Sequence, residues 1–144
     1  DDSVGLRVAR ALEDRLNRPE ITVMEASVAG LNFLDWLAGY DRAIIIDGVQ
    51  TNGGKAGQVY RLEPEAFNAT RRASTPHDVN FATALELGNR LGLAWPQQIV
   101  IFAIEVENVS SFSEECTPKV RDAIPVCVEM VIEELNETPM HSRW

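Results

Sequence analysis

The sequence predicts an α/β protein built on a mostly parallel sheet that helices cover. Two apolar runs without polar alternation, at 42–48 and 98–106, are typical of strands buried on both faces. Segments with helical spacing alternate with these strands along the chain, which is the order found in parallel sheets. The 144 residues suit one core, so we expect residues 1–144 to form a single domain.

Composition narrows the possible functions. A hydrophobic content of 45% with 24% charged residues is ordinary for a soluble globular protein, and the net charge of −9 would repel nucleic acid. No run is long enough to span a bilayer, no signal peptide is visible, and Cys116 and Cys127 lack metal-ligand spacing. We therefore expect a cytoplasmic protein that binds neither nucleic acid nor membrane, with Cys127 as a reduced core residue.

The first elements alternate between helix and strand. Four apolar residues spaced by four form one helical stripe: Val4, Val8, Leu12 and Leu16. Asp2 or Ser3 can cap this helix, because acids and hydroxyls suit a helix N-terminus. Residues 20–26 then predict a strand, and residues 30–38 predict a short helix that Gly39 ends.

The middle of the chain begins with a glycine-rich loop at 51–57. This loop lacks the pattern G-x-x-x-x-G-K-S/T and no helix starts after it, so it predicts a mobile turn rather than a phosphate site. Residues 58–62 alternate and predict an antiparallel strand at a sheet edge, followed by a polar surface segment at 63–75. His77 then precedes a helix predicted over 78–91.

The last elements are a strand and a helix. The strand at 98–106 carries Glu105 and Glu107 at its far end, where we expect salt-bridged or solvated acids. Thr117 followed by Pro118 is a typical helix start, and Pro125 should kink this helix or remove one of its backbone bonds. Six residues are predicted to face inward: Val120, Ile124, Cys127, Val128, Val131 and Leu135.

Three polar residues are candidates for one site. Asp47 ends a buried strand, which is where open α/β sheets bind ligands. His77 lies at a helix N-terminus, whose dipole lowers the imidazole pKa and favours the neutral, metal-binding form. Together with Asp2 they could hold a divalent transition metal, although this donor set does not choose among zinc, nickel and iron. Helix capping remains the ordinary structural alternative for Asp2 and His77.

Four sequence blocks occur in a recognisable order: D-D-S-V-G-L-R-V (1–8), I-I-I-D-G (44–48), T-P-H-D (75–78) and T-P-K-V-R-D-A-I-P-V (117–126). Over essentially the whole chain this set resembles the hydrogenase maturation endopeptidases. The resemblance implies a three-layer α/β/α fold around a twisted, mostly parallel sheet. It also implies an enzyme that removes the C-terminal tail of a [NiFe]-hydrogenase large-subunit precursor after nickel insertion.

The resemblance implies site residues as well. The acids and histidine that contact the metal in the family correspond here to Asp2, Asp47 and His77, and Asp47 is our choice for the catalytic base. Nickel is expected to arrive with the substrate rather than as a resident cofactor, with zinc or cadmium able to replace it in vitro. We expect the protein to act as a monomer.

Two departures from the family pattern are visible. Family members begin with an apolar strand and a G-x-G-N loop, so we expect the natural chain to extend upstream of Asp1 and the central strand to be missing here. Residues 25–30, E-A-S-V-A-G, replace the common pattern acid-Gly-Gly-Thr-x-Gly.

Two other functions remain open at this point. One is a non-enzymatic maturation chaperone that binds nickel or zinc on the same fold. The other is an α/β hydrolase of a different kind, although no G-x-S-x-G elbow or other nucleophile supports it.

Overall fold

A computed structural model describes residues 4–23, 37–51, 53–66, 90–92, 96, 98–106 and 117–137. Within these residues the elements follow the predicted α/β order. They are helix α1 (Val4–Arg15), strand β1 (Arg42–Val49), strand β2 (Val59–Leu62), strand β3 (Gln98–Glu105) and helix α2 (Pro118–Asn136).

The described sheet has the strand order β1-β3-β2. Strands β1 and β3 are parallel, in a register that runs from Arg42 opposite Gln98 to Val49 opposite Glu105. Strand β2 is antiparallel to β3, which confirms the predicted antiparallel strand at an edge of the described sheet. The parallel pair places the carboxyl ends of β1 and β3 together at one edge.

Strand β3 is buried on both faces, as its unbroken apolar run predicted. Its even-numbered residues, Val100, Phe102 and Ile104, pack in a core with α1 and α2. Its odd-numbered residues, Ile99, Ile101 and Ala103, pack with β1 and Leu37 in a second cluster. Since successive side chains of a strand point to opposite faces, the two clusters lie on opposite sides of the sheet.

Both described helices agree with their predicted apolar faces. Helix α1 buries Val4, Val8, Ala9 and Leu12. Helix α2 begins after Thr117, whose extended backbone precedes Pro118, and continues through the exposed Pro125 without ending there. A proline on the solvent side still removes one amide hydrogen from the helix. No helix within the described ranges is long and apolar enough to cross a membrane.

The strand predicted at 20–26 is not present over 20–23, and 24–26 lie outside the described residues. A turn lies at the start of this segment, where the Ile21 amide donates to the Arg18 carbonyl at 3.1 Å. Most of the helices predicted at 30–38 and 78–91 also falls outside the described residues. Their described ends are helical at Leu37 and Arg90, and glycines with positive φ follow both: Gly39 and Gly92.

Candidate active site

Asp47 is the sixth residue of β1 and lies half-buried near the carboxyl end of the strand. Its Oδ1 atom accepts a hydrogen bond of 2.9 Å from the Gly48 amide. Strand alternation puts Asp47 on the same face as Ile45 and Val49, which belong to the second cluster. Its register partner on β3 is the fully buried Ala103. Asp47 therefore lies at the sheet edge where ligands bind in this fold class.

Helix α1 touches β1 at Asp47. A Cβ atom on Gly5 would lie 2.7 Å from the Ile46 carbonyl oxygen and 3.8 Å from the Asp47 Cα atom. The first of these distances is shorter than any normal contact, so only glycine permits this approach of two main chains. The N-terminal end of α1, at the close of the block 1–8, is thereby packed against the strand at Asp47.

Of the three predicted metal ligands, the structure describes one. Asp47 is described, whereas Asp2 and His77 lie outside the described residues. Among the residues that are described, no group of three His, Cys, Asp or Glu side chains could hold a metal ion. The predicted meeting of Asp2, Asp47 and His77 stays a prediction.

A buried carboxylate that sequence reasoning underrated lies at the same edge. Glu105 is 2% exposed at the end of β3, which contradicts the expectation of a salt-bridged or solvated acid. Its Oε2 atom accepts the Thr51 amide at 2.8 Å, while Oε1 accepts the Thr51 hydroxyl at 2.5 Å and the Tyr60 hydroxyl at 3.0 Å. Its described partners are thus neutral donors. Glu107, for which the same expectation was made, lies outside the described residues.

The environment of Tyr60 favours its protonated hydroxyl, which acts as a hydrogen-bond donor. Burial raises the pKa of the Tyr60 hydroxyl, and its hydrogen bond to Glu105 raises this pKa further. The hydroxyl also lies 2.8 Å from Gln58 Oε1. The only sequence signal for the cluster of Glu105, Thr51 and Tyr60 was an acid at the end of the most apolar strand. The partners of Glu105 come from two other segments, so the local sequence does not show them.

Both ends of the glycine-rich loop are hydrogen-bonded to Glu105. Its start is bound to Glu105 through Thr51, and the Gly57 amide donates to the Glu105 carbonyl at 2.9 Å. A Cβ atom on Gly54 would overlap the Glu105 carboxylate, and one on Gly57 would lie 2.8 Å from the Lys119 carbonyl. Strand β2 follows, as expected for a loop that is not a phosphate-binding loop.

Cys127 is a reduced core residue, as predicted. It is fully buried in α2, and burial raises the pKa of its thiol to about 12. Since the thiolate is the reactive form of cysteine, Cys127 is not suited to act as a nucleophile at neutral pH.

Comparison with known proteins gives a consistent result. The hydrogenase maturation protease family (HycI) matches residues 6–134. The Hydrogenase 2 maturation protease of Escherichia coli (strain K12) is 26% identical over 141 residues, which cover 96% of this chain and 84% of that protein. The hydrogenase expression/formation protein HupD of Bradyrhizobium diazoefficiens is 23% identical over 140 residues, covering 95% and 72% of the two chains.

Solved structures agree on the fold. The hydrogenase maturating endopeptidase HybD from E. coli superposes with a TM-score of 0.77 at 24% identity, covering 94% of this chain and 84% of that one. The [NiFe] hydrogenase maturation protease HybD from Thermococcus kodakarensis gives 0.67 at 21% identity, covering 92% and 88%. These likenesses confirm the α/β fold. Because the family match spans most of its residues, the chain belongs to the hydrogenase maturation protease family and is a peptidase.

Proposed function

We propose that this peptidase removes the C-terminal tail from the large-subunit precursor of a [NiFe]-hydrogenase after nickel has been inserted. The family match supports processing of a hydrogenase, and the observation that carries the site is the position of Asp47. Asp47 lies near the carboxyl edge of a parallel strand pair and is half-buried, and its main chain is close to Gly5 in the first turn of α1. The net charge of −9 would also favour a precursor with a basic residue beside its cleavage point.

In this proposal Asp47 has two roles. It contacts the nickel ion that the precursor carries, together with Asp2 and His77, and it takes a proton from the attacking water. The water oxygen bonds to the peptide carbonyl carbon, and the proton passes to the leaving amine as the C–N bond breaks. The products are a mature C-terminal carboxylate and a released tail with a free amino end.

The packing of α1 supports the part that Asp2 would play. Asp2 precedes Gly5 by three residues, and three peptide links span at most about 11 Å. Gly5 lies against the Ile46 carbonyl, next to Asp47 in the chain, so the chain is long enough for Asp2 to reach the carboxyl edge of β1. Since α1 packs on the face of the sheet opposite to the Asp47 side chain, the two carboxylates would have to meet around that edge. The role of His77 rests on its place in the T-P-H-D block.

The test uses nickel-loaded and nickel-free precursor, with tail loss measured by intact-mass spectrometry. We expect cleavage of the loaded form alone, and Asp47→Asn should lower the rate by about 100-fold or more, as expected for loss of a catalytic base. The matched control is Asp122→Asn, which changes an exposed acid on α2 and should cleave at the wild-type rate. Circular dichroism of both variants checks that each is folded.

Two other outcomes would count against parts of this proposal. Equal cleavage of loaded and nickel-free precursor would remove nickel recognition from the proposal. No cleavage of either form, with tight nickel binding by the isolated protein in calorimetry, would favour the non-enzymatic chaperone. We also propose a cytoplasmic monomer, which cell fractionation and light scattering would check.

A further inference from the structure

Glu105 is hydrogen-bonded to both ends of the glycine-rich loop. Its side chain accepts the amide and hydroxyl of Thr51, where the loop begins. Its main chain accepts the Gly57 amide at 2.9 Å and donates to the Gln58 carbonyl at 2.8 Å, where the loop ends. A single residue of β3 therefore holds both ends of the segment 51–57.

This arrangement is not required for packing. A buried carboxylate carries a desolvation cost that its hydrogen bonds only offset, and apolar residues of similar size often serve a core equally well. The six residues that precede Glu105 in β3 are all apolar and buried. An acid at this position therefore calls for an explanation other than burial.

The location of Glu105 points to the active site. Glu105 is the register partner of Val49, two residues beyond the pair of Asp47 with Ala103. Thr51, which it binds, follows Asp47 by four residues. The anchored loop thus starts at the carboxyl edge of β1, directly after the residue that we place at the centre of the reaction.

The outer side of the loop is open to solvent. Gly53, Gly54 and Lys55 are exposed, and a Cβ atom on Gly54 would displace the Glu105 carboxylate and the Thr51 hydroxyl. Glycines on an exposed loop leave main-chain groups accessible, and main-chain hydrogen bonds are one way in which proteins bind extended peptides. The substrate of an endopeptidase is such a peptide.

We propose that Glu105 is a positioning residue of this protease: it holds both ends of the glycine-rich loop beside Asp47, so that the exposed residues 53–55 form the surface against which the precursor segment around the cleavage point docks. Glu105 acts through Thr51 and Tyr60 and does not touch the reacting atoms. This inference rests on the proposed function, because it assigns the loop a peptide substrate.

The main test is Glu105→Gln, which keeps the shape of the side chain. It replaces one acceptor oxygen with an NH2 donor, which would face the hydrogen-bond donors of Thr51 or Tyr60. We expect KM for nickel-loaded precursor to rise about tenfold with kcat changed far less, the scale of a lost hydrogen bond to a charged group. Amide hydrogen exchange should accelerate at Thr51 and Gly57 while the interior of β3 stays protected. The matched control is Glu133→Gln, which changes an exposed acid on α2.

A second variant covers the case in which Glu105→Gln does not fold. Thr51→Val removes one hydroxyl donor while keeping the side-chain shape, and Thr51→Ser restores the hydroxyl. We expect Thr51→Val to raise KM and Thr51→Ser to return it to the wild-type value.

Two results would overturn the inference. One is a lower melting temperature in Glu105→Gln with wild-type KM and kcat, and the other is unchanged exchange at the loop amides. Failure of the wild-type protein to cleave any precursor would instead count against the proposed function. Cleavage by the wild type with unaltered KM in the variant counts against Glu105 alone.

Discussion

Replacing Gly5 with alanine should push α1 away from β1 at Asp47. The new Cβ atom would lie 2.7 Å from the Ile46 carbonyl oxygen, whereas ordinary contact begins at 3.4 Å, so the helix must retreat by about 0.7 Å. Both partners are main chain, and no side-chain rotation can relieve the overlap. The retreat would loosen the packing of Val4 and Val8, which are fully buried.

Two opposing effects decide the stability of Gly5→Ala. Overpacking a close-packed core costs about 1–3 kcal/mol, whereas alanine in place of glycine within a helix gains about 1 kcal/mol. Gly5 is the second residue of α1, where the gain is smallest because the end of a helix frays. We expect the free energy of unfolding to fall by about 1 kcal/mol, which lowers the melting temperature by about 2–4 °C in a domain of this size.

The assay combines thermal unfolding with precursor cleavage at a temperature where the variant is folded. A displacement approaching 1 Å at a reacting site lowers the rate by about 100-fold. We therefore expect a large loss of cleavage rate at a temperature where Gly5→Ala is still folded. The control is Asp14→Ala, on the exposed face of the same helix, which gains helix propensity without a clash. If Gly5→Ala melts above the wild type, as the control should, the close approach of the two main chains is refuted.

The remaining predictions concern residues outside the site. The Cys127 thiol, whose pKa burial raises to about 12 from its usual 9.0, should resist alkylation at pH 8 until the protein unfolds, as peptide-resolved mass spectrometry would show. Because the folded state keeps this proton to higher pH than the unfolded chain does, the free energy of unfolding should fall as pH rises between these two values, and Cys127→Ala should reduce that slope. Arg61→Gln should lower the free energy of unfolding by about 1–3 kcal/mol, because it removes an ion pair from the Glu134 side chain, which is 9% exposed. Arg15→Gln breaks a pair with Glu129, which is 59% exposed, and should cost less than about 1 kcal/mol, so equal effects in chemical denaturation would contradict this comparison.

Local periodicity predicted the described helices and strands well. The spacing of four in α1 and the apolar face of α2 each place side chains on one side of a helix, whatever they pack against. The unbroken apolar run of β3 predicted burial on both faces, and the two clusters around it confirm that prediction. The strand predicted at 20–26 was wrong over 20–23, and a turn closed by the Arg18 carbonyl and the Ile21 amide occupies the start of this segment.

The candidate site was predictable only in part. Asp47 was found because an acid after an apolar run is visible in one dimension, and the α/β rule then places it near the ligand edge. The prediction that this strand is buried on both faces was wrong, because β1 continues to Val49 and only Ala43 and Val49 are buried in it. Its predicted partners Asp2 and His77 rest on the order of sequence blocks, which says nothing about distances between them.

The sequence by itself determined the two helices and three strands that the structure describes, the apolar faces of those helices and the family to which the chain belongs. These properties depend on neighbours within a few residues or on the order of blocks. The tertiary structure alone decided that Gly5 touches β1 at Asp47 and that Glu105 is buried against Thr51, 54 residues away in sequence. A close approach or a hydrogen bond between distant segments leaves no periodic pattern, since it depends on how whole elements pack.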